Sequence, residues 1–221
     1  MRTFKHFSMF ALVTNTLMNT VTQKEKEFLR SLHTPEKIQD YLDTLPFNHE
    51  ERGETCRSAY EVMRVKKAHC LEGAFLACSA LILQKRKPLI LSLKVTKNDY
   101  DHVITIYKEN GYFGAISKTN HAVLGFRDPV YKTIRELVLS YFNEYFLIKN
   151  GEKTLRGYSR LINLNGFGTL WIDSSLDLFS IAEAISDAQH TTLIPRGNEK
   201  FIRRATSLEC LSASISQDGV R

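Results

Sequence analysis

Cys70-Leu71-Glu72-Gly73-Ala74-Phe75-Leu76-Ala77-Cys78-Ser79-Ala80-Leu81-Ile82-Leu83 is the stretch on which the reading of this chain turns. It carries one charge and is shorter than the roughly 18 apolar residues a membrane helix needs, so it reads as one helix buried in a protein core. A thiol at a helix start lies beside free backbone N–H groups and the positive end of the helix dipole, which favour its thiolate. Further on, His102 opens the strand-like run Val103-Ile104-Thr105-Ile106-Tyr107. Cys70 and His102 are therefore the candidate nucleophile and base.

Outward from this run the chain changes texture twice. Before it, Thr22 to Leu32 has a polar-faced helical pattern, and Thr34-Pro35-Glu36 supplies an N-cap, a first-turn proline and a first-turn acid for a second helix ending near Leu45-Pro46. Cys56 to Lys67 has the spacing of a third amphipathic helix. After it, Leu89 to Val95, His102 to Tyr107 and Tyr112 to Ile116 read as strands, with Asn110-Gly111 as a hairpin turn. Asp128-Pro129 and the Thr133/Glu136 capping pair then predict a helix through Phe146, with Asp128 read as an N-cap. Ser159 to Leu164 predicts a short strand and Ser174 to Asp187 a last helix, and the Ser-rich tail beyond Arg204 is expected to be disordered. Helices first and an antiparallel meander afterwards make the fold α+β.

A chain of 221 residues, 43% hydrophobic and 24% charged, has apolar material for one well-packed domain. The formal charge of +6 is spread among acids, as in Gln23-Lys24-Glu25-Lys26-Glu27, and no recognition motif accompanies it, which argues against nucleic acid as a partner. The four cysteines (56, 70, 78 and 210) have no metal-ligand spacing, and no cofactor or metal is expected. No membrane partner is expected either. Phe7 to Val13 makes a short apolar stretch without a clear cleavage site, so a cytoplasmic location is expected in preference to secretion.

Gly53-Glu54-Thr55-Cys56-Arg57-Ser58, Ala68-His69-Cys70-Leu71-Glu72-Gly73-Ala74, Asp101-His102-Val103 and Gly114-Ala115-Ile116-Ser117-Lys118-Thr119-Asn120-His121 together resemble a bacterial branch of the transglutaminase-like superfamily. The likeness continues through Arg127-Asp128-Pro129-Val130-Tyr131, Ser140-Tyr141-Phe142 and Glu152-Lys153-Thr154-Leu155-Arg156, and covers roughly residues 32 to 165. It implies a papain-like core in which the sheet packs on the cysteine-bearing helix. It also implies a domain over 32–188, between an extension at 1–31 and a variable, flexible tail at 189–221.

The resemblance implies acyl transfer or hydrolysis through a cysteine thioester, on a protein, peptide or small amide. An aspartate usually completes such a site; here its place falls at Ser117, with Asn120 three residues on. Asn120 is preferred as the residue that orients His102, as the amide does in Cys-His-Asn sites, and Ser117 stands next. Asp101 adjoins the histidine but alternation along a strand turns it away. Glu72, Arg57 and His121 are the candidate substrate-binding residues. His69 and His121 compete for the role of base, and Cys78, inside the apolar run, reads as a core filler. The alternative to an enzyme is a binding or scaffold module that keeps the fold without the chemistry.

Overall fold

The structure, a computed structural model, describes residues 22–216 and 219–220. Three helices precede the cysteine run. α1 (Gln23–Ser31) starts at Thr22, whose Oγ1 accepts the Glu25 N–H while the Glu25 carboxylate accepts the Thr22 N–H. α2 (Pro35–Thr44) is capped by Thr34 and has proline in its first turn. α3 (Ala59–Val65) begins later than Cys56, because Ser58 takes the cap position and accepts the Glu61 N–H. α4 (Cys70–Leu83) is buried from Leu71 to Ile82, and a helix enclosed on all sides needs no polar stripe.

The strands β1 (Leu89–Val95), β2 (His102–Glu109), β3 (Tyr112–Ile116), β4 (Arg127–Tyr131), β5 (Leu155–Ser159) and β7 (His190–Thr192) form one sheet in the order β4-β3-β2-β1-β5-β7. Every pairing is antiparallel, and β6 (Ile162–Asn163) pairs with the start of β1. The β2–β3 turn has Asn110 at φ 47° and Gly111 at φ 91°, the pair of left-handed conformations that an Asn-Gly hairpin supplies.

Alternation divides the core. Ile90, Val103, Tyr107 and Ile116 join the cluster built around α4, while Leu91, Leu93, Ile104, Ile106 and Ala115 join Leu137, Val138 and Tyr141 of α5 (Ile134–Phe142). Both faces of the sheet are thus covered, which is why the first six residues of β2 are all buried. The molecule is a mixed α+β fold with an open antiparallel sheet. No helix among the described residues is long and apolar enough to cross a membrane.

Several expectations are corrected. Asp128 and Pro129 lie within β4, and the cap of α5 is Thr133; Asp128 has no capping role. The strand expected over Ser159 to Leu164 is instead the end of β5 followed by β6, and the helix expected from Ser174 to Asp187 begins later, as α7 (Phe179–Ser186), after a separate short helix α6 (Leu170–Asp173). The expected extension contributes α1, whose Leu29 is in the main core. The tail is built into the molecule: β7 forms a sheet edge, Leu193 and Ile194 are buried, and α8 (Ser207–Ala213) has a complete capping box at Thr206 and Glu209.

Candidate active site

Cys70 occupies the first turn of α4, and the residues before it are fixed from outside the helix. The Asn48 N–H donates to Ala68 O at 3.0 Å and the Ala68 N–H to Pro46 O at 3.3 Å, so a short parallel bridge holds the approach to the helix. His69 is the N-cap: its Nδ1 accepts the Leu71 N–H at 3.2 Å, and Nε2 lies 3.0 Å from Thr55 O. At the first helical position the Cys70 N–H has no carbonyl four residues earlier in the helix to bond.

Glu72 anchors this start. Its carboxylate is 0% exposed and accepts the backbone N–H groups of His69 (3.0 Å) and Arg57 (3.1 Å), the Thr55 hydroxyl (2.8 Å) and Asn48 Nδ2 (3.2 Å). Arg57 Nη1 lies 3.4 Å from the same carboxylate. A buried carboxylate with this many donors ties the 48–57 loop to the helix, since a charge in the interior demands such partners.

His102 opens β2 and is 6% exposed. Its Nε2 is 2.7 Å from Ser117 Oγ, just past the end of β3. With the Nε2–H donating to this hydroxyl, Nδ1 keeps a lone pair for the thiol. Ser117 is itself clamped by Gln39 of α2: the Ser117 N–H donates to Gln39 Oε1 at 2.8 Å, and Gln39 Nε2 donates to Ser117 O at 2.9 Å. Thr105, three residues into the strand beyond His102, donates to Ala74 O at 3.3 Å and so links β2 to α4.

The electrostatics single out one thiol. Burial opposes ionisation of Cys70, but hydrogen bonds from His102 and His69, and the charges of both rings, overcome it and bring the thiol down to about 5. Cys56 is pushed up to about 12 by burial and the Glu72 charge, and Cys78 is pushed up by burial alone, with only a Thr105 hydrogen bond opposing. Cys70 is partly exposed, whereas Cys56 and Cys78 are buried. Burial also lowers His69, but the Cys70 hydrogen bond, the charges of Cys70 and Glu72 and the Thr55 carbonyl reverse this and push it up to about 9.

Of the residues that the sequence marks out, the structure brings Cys70, His69, His102 and Ser117 together. Asn120 is buried beyond Ser117, and the hydroxyl of Ser117 holds the Nε2 position on the imidazole. Asp101 is turned to Lys94 Nζ at 2.6 Å and the Val95 N–H at 3.0 Å. His121 is half-buried in the loop after β3, its N–H donating to Thr119 Oγ1 at 3.0 Å. Among the described residues, no group of three or more His, Cys, Asp and Glu side chains is placed to hold a metal ion. Cavities of about 370 to 660 Å³ open elsewhere on the surface.

Gln39, Asn48 and Thr55 support the site without having stood out in the sequence. Gln39 had a readable signal, since it is a polar residue beside Ile38 and before Leu42 on the inward side of α2. Asn48 had none, because a polar residue in a charged loop is ordinary, and Thr55 stood inside the stretch Gly53 to Ser58 with no role of its own. Compared with models of protein families and with curated proteins, the chain matches none.

Proposed function

We propose that the chain is a transglutaminase-like thiol enzyme that forms and breaks a cysteine thioester on a protein, peptide or small amide. The observation that carries this reading is an imidazole, His102, whose Nε2 is held at 2.7 Å by the fixed hydroxyl of Ser117 and whose ring, with that of His69, draws the helix-start thiol of Cys70 below its ordinary range. That is the arrangement of nucleophile, base and orienting group that acyl transfer needs.

His102 Nδ1 takes the proton of the Cys70 thiol, and the thiolate attacks the substrate carbonyl carbon; a C–S bond forms and the carbonyl electron pair moves to oxygen. The Cys70 N–H at the helix start stabilises that oxyanion. Collapse of the adduct breaks the bond to the leaving group, which takes a proton from His102 and departs as amine or alcohol. His102 then accepts a proton from water or from an incoming amine, the C–S bond breaks, and Cys70 returns to its thiolate. Ser117 keeps the ring in one tautomer through both halves.

The test is the pH dependence of iodoacetamide alkylation, read at each cysteine by peptide mass spectrometry. Cys70 is expected to react with a midpoint near about 5, far below Cys56. In His102→Ala that midpoint rises towards the roughly 8.5 of a free thiol. A Cys70 that reacts no faster than Cys78, or that ignores the loss of His102, overturns the reading and leaves a fold used for binding.

A further inference from the structure

The face of the sheet away from α4 carries a cavity of about 370 Å³, between α5 and the segment that follows β7. Its walls are largely apolar: Leu139 and Phe142 come from α5, and Ile194 and Phe201 from the chain after β7. Phe201 is 75% exposed and Leu139 39% exposed, so the cavity presents apolar surface that the fold itself leaves uncovered. Arg135, Lys153 and Arg203 line the same cavity, and no aspartate or glutamate is among its described lining residues.

These cations are poorly neutralised from within the protein. Lys153 is 8% exposed, and the partners of its ammonium are neutral: Nζ donates to Asn143 Oδ1 at 2.7 Å and lies 5.8 Å from the centre of the Phe142 ring. An ammonium has three N–H groups, and a charge removed this far from water is costly unless an opposite charge meets it. Arg135 donates to the Leu193 carbonyl at 3.2 Å. Among the described residues neither Lys153 nor Arg135 forms an ion pair with a carboxylate; of the three cations only Arg203 meets one, Glu209 at 3.5 Å.

We propose that this cavity binds a small organic anion with an apolar body, of which a medium-chain carboxylate is the simplest form. Lys153 and Arg135 take the anionic group, the one as a point charge and the other as a fork of N–H donors. Phe142, Ile194 and Phe201 surround the apolar body, and the volume is that of a small-molecule site. The site is separate from Cys70, whose helix packs on the other face of the sheet, and does not depend on the thiol chemistry.

The test is isothermal titration calorimetry of the full chain with octanoate, and with 1-octanol as the uncharged molecule of the same chain length. Octanoate is expected to bind at one saturable site and octanol about tenfold more weakly or less. Added salt should weaken octanoate and leave octanol unchanged. In Lys153→Gln and in Arg135→Gln the octanoate affinity is expected to fall about tenfold, to the level of octanol. Arg135 is exposed on α5, so its variant carries the test if the buried Lys153→Gln does not fold. No saturable octanoate binding at millimolar concentration, equal affinity for octanoate and octanol, or unchanged octanoate affinity in a folded Arg135→Gln protein each overturns the proposal. None of these results bears on the alkylation of Cys70, which tests the enzyme reading separately.

Discussion

The charge on Cys70 ties the chemistry of the site to the stability of the fold. A thiol that ionises near about 5 in the folded chain, against its ordinary 9.0, is deprotonated over a window in which the unfolded thiol keeps its proton. Unfolding there takes up a proton, so this group's contribution to stability rises with pH. His69, at about 9 against 6.5, has the opposite slope, but only above pH 6.5. The pair's contribution therefore rises from about pH 5 to 6.5 and then levels, as the two slopes cancel. Urea unfolding of wild type and Cys70→Ala at several pH values should show the difference in free energy growing over that interval, by at most about 1.4 kcal/mol per pH unit. A difference that stays constant across the interval would remove the ionised thiol from the account.

α4 and the strand end that carries Ser117 are held close by the lack of a side chain at Gly73. A Cβ placed there would lie 2.4 Å from Lys118 Cβ and 3.0 Å from its Cγ. Lys118 cannot swing away, because its side chain is fully buried and its Nζ donates to Leu45 O. Gly73→Ala must then move the helix or the strand end, and overpacking of this kind typically costs about 1–3 kcal/mol. The measurable outcome is a lower urea midpoint together with slower Cys70 alkylation, since the helix start and Ser117 are pushed apart. A variant as stable as the wild type would mean that the 118–121 loop gives way freely. The capping boxes of α1 and α5 show the reverse case, elements whose ends are set by neighbours in the chain and not by packing.

The sheet is closed at one edge by residues late in the chain. β7 pairs with β5 through Gly157↔Thr192, Tyr158↔Thr191 and Ser159↔His190, and Leu193 and Ile194 then enter the core on the α5 side. Gly151 meets the same segment, with the Ala205 N–H donating to Gly151 O at 2.8 Å. A chain ended after residue 188 loses an edge strand and two buried aliphatic side chains, each worth about 1.5–3 kcal/mol on burial. That is a large part of the 5–15 kcal/mol that typically holds a domain together. Thermal unfolding of this truncated chain should be broad and its solubility poor, whereas a sharp transition near that of the full chain would show the tail to be dispensable.

Local chemistry settles much of this molecule before any packing is known. Thr22, Thr34 and Thr133 mark helix starts because a side-chain oxygen there satisfies a backbone N–H, and Asn110-Gly111 marks a hairpin because few other pairs tolerate its backbone angles. The apolar run from Cys70 and the strand runs after it follow from composition alone, and with them the α+β class. The third partner of His102 was beyond such reading: Ser117 and Asn120 are both polar residues after β3, and it is Gln39, 78 positions earlier, that fixes Ser117 beneath the ring. The misplacement of Asp128 has the same origin, for Asp-Pro suits an edge strand as well as a helix cap, and pairing with β3 chose the strand. The C-terminal strand had too few residues to show a period, and only the free edge of β5 gave it a place. Hydrogen bonds between neighbours in the chain are legible in the sequence, and those between distant segments wait on the fold, because it alone decides which segments meet.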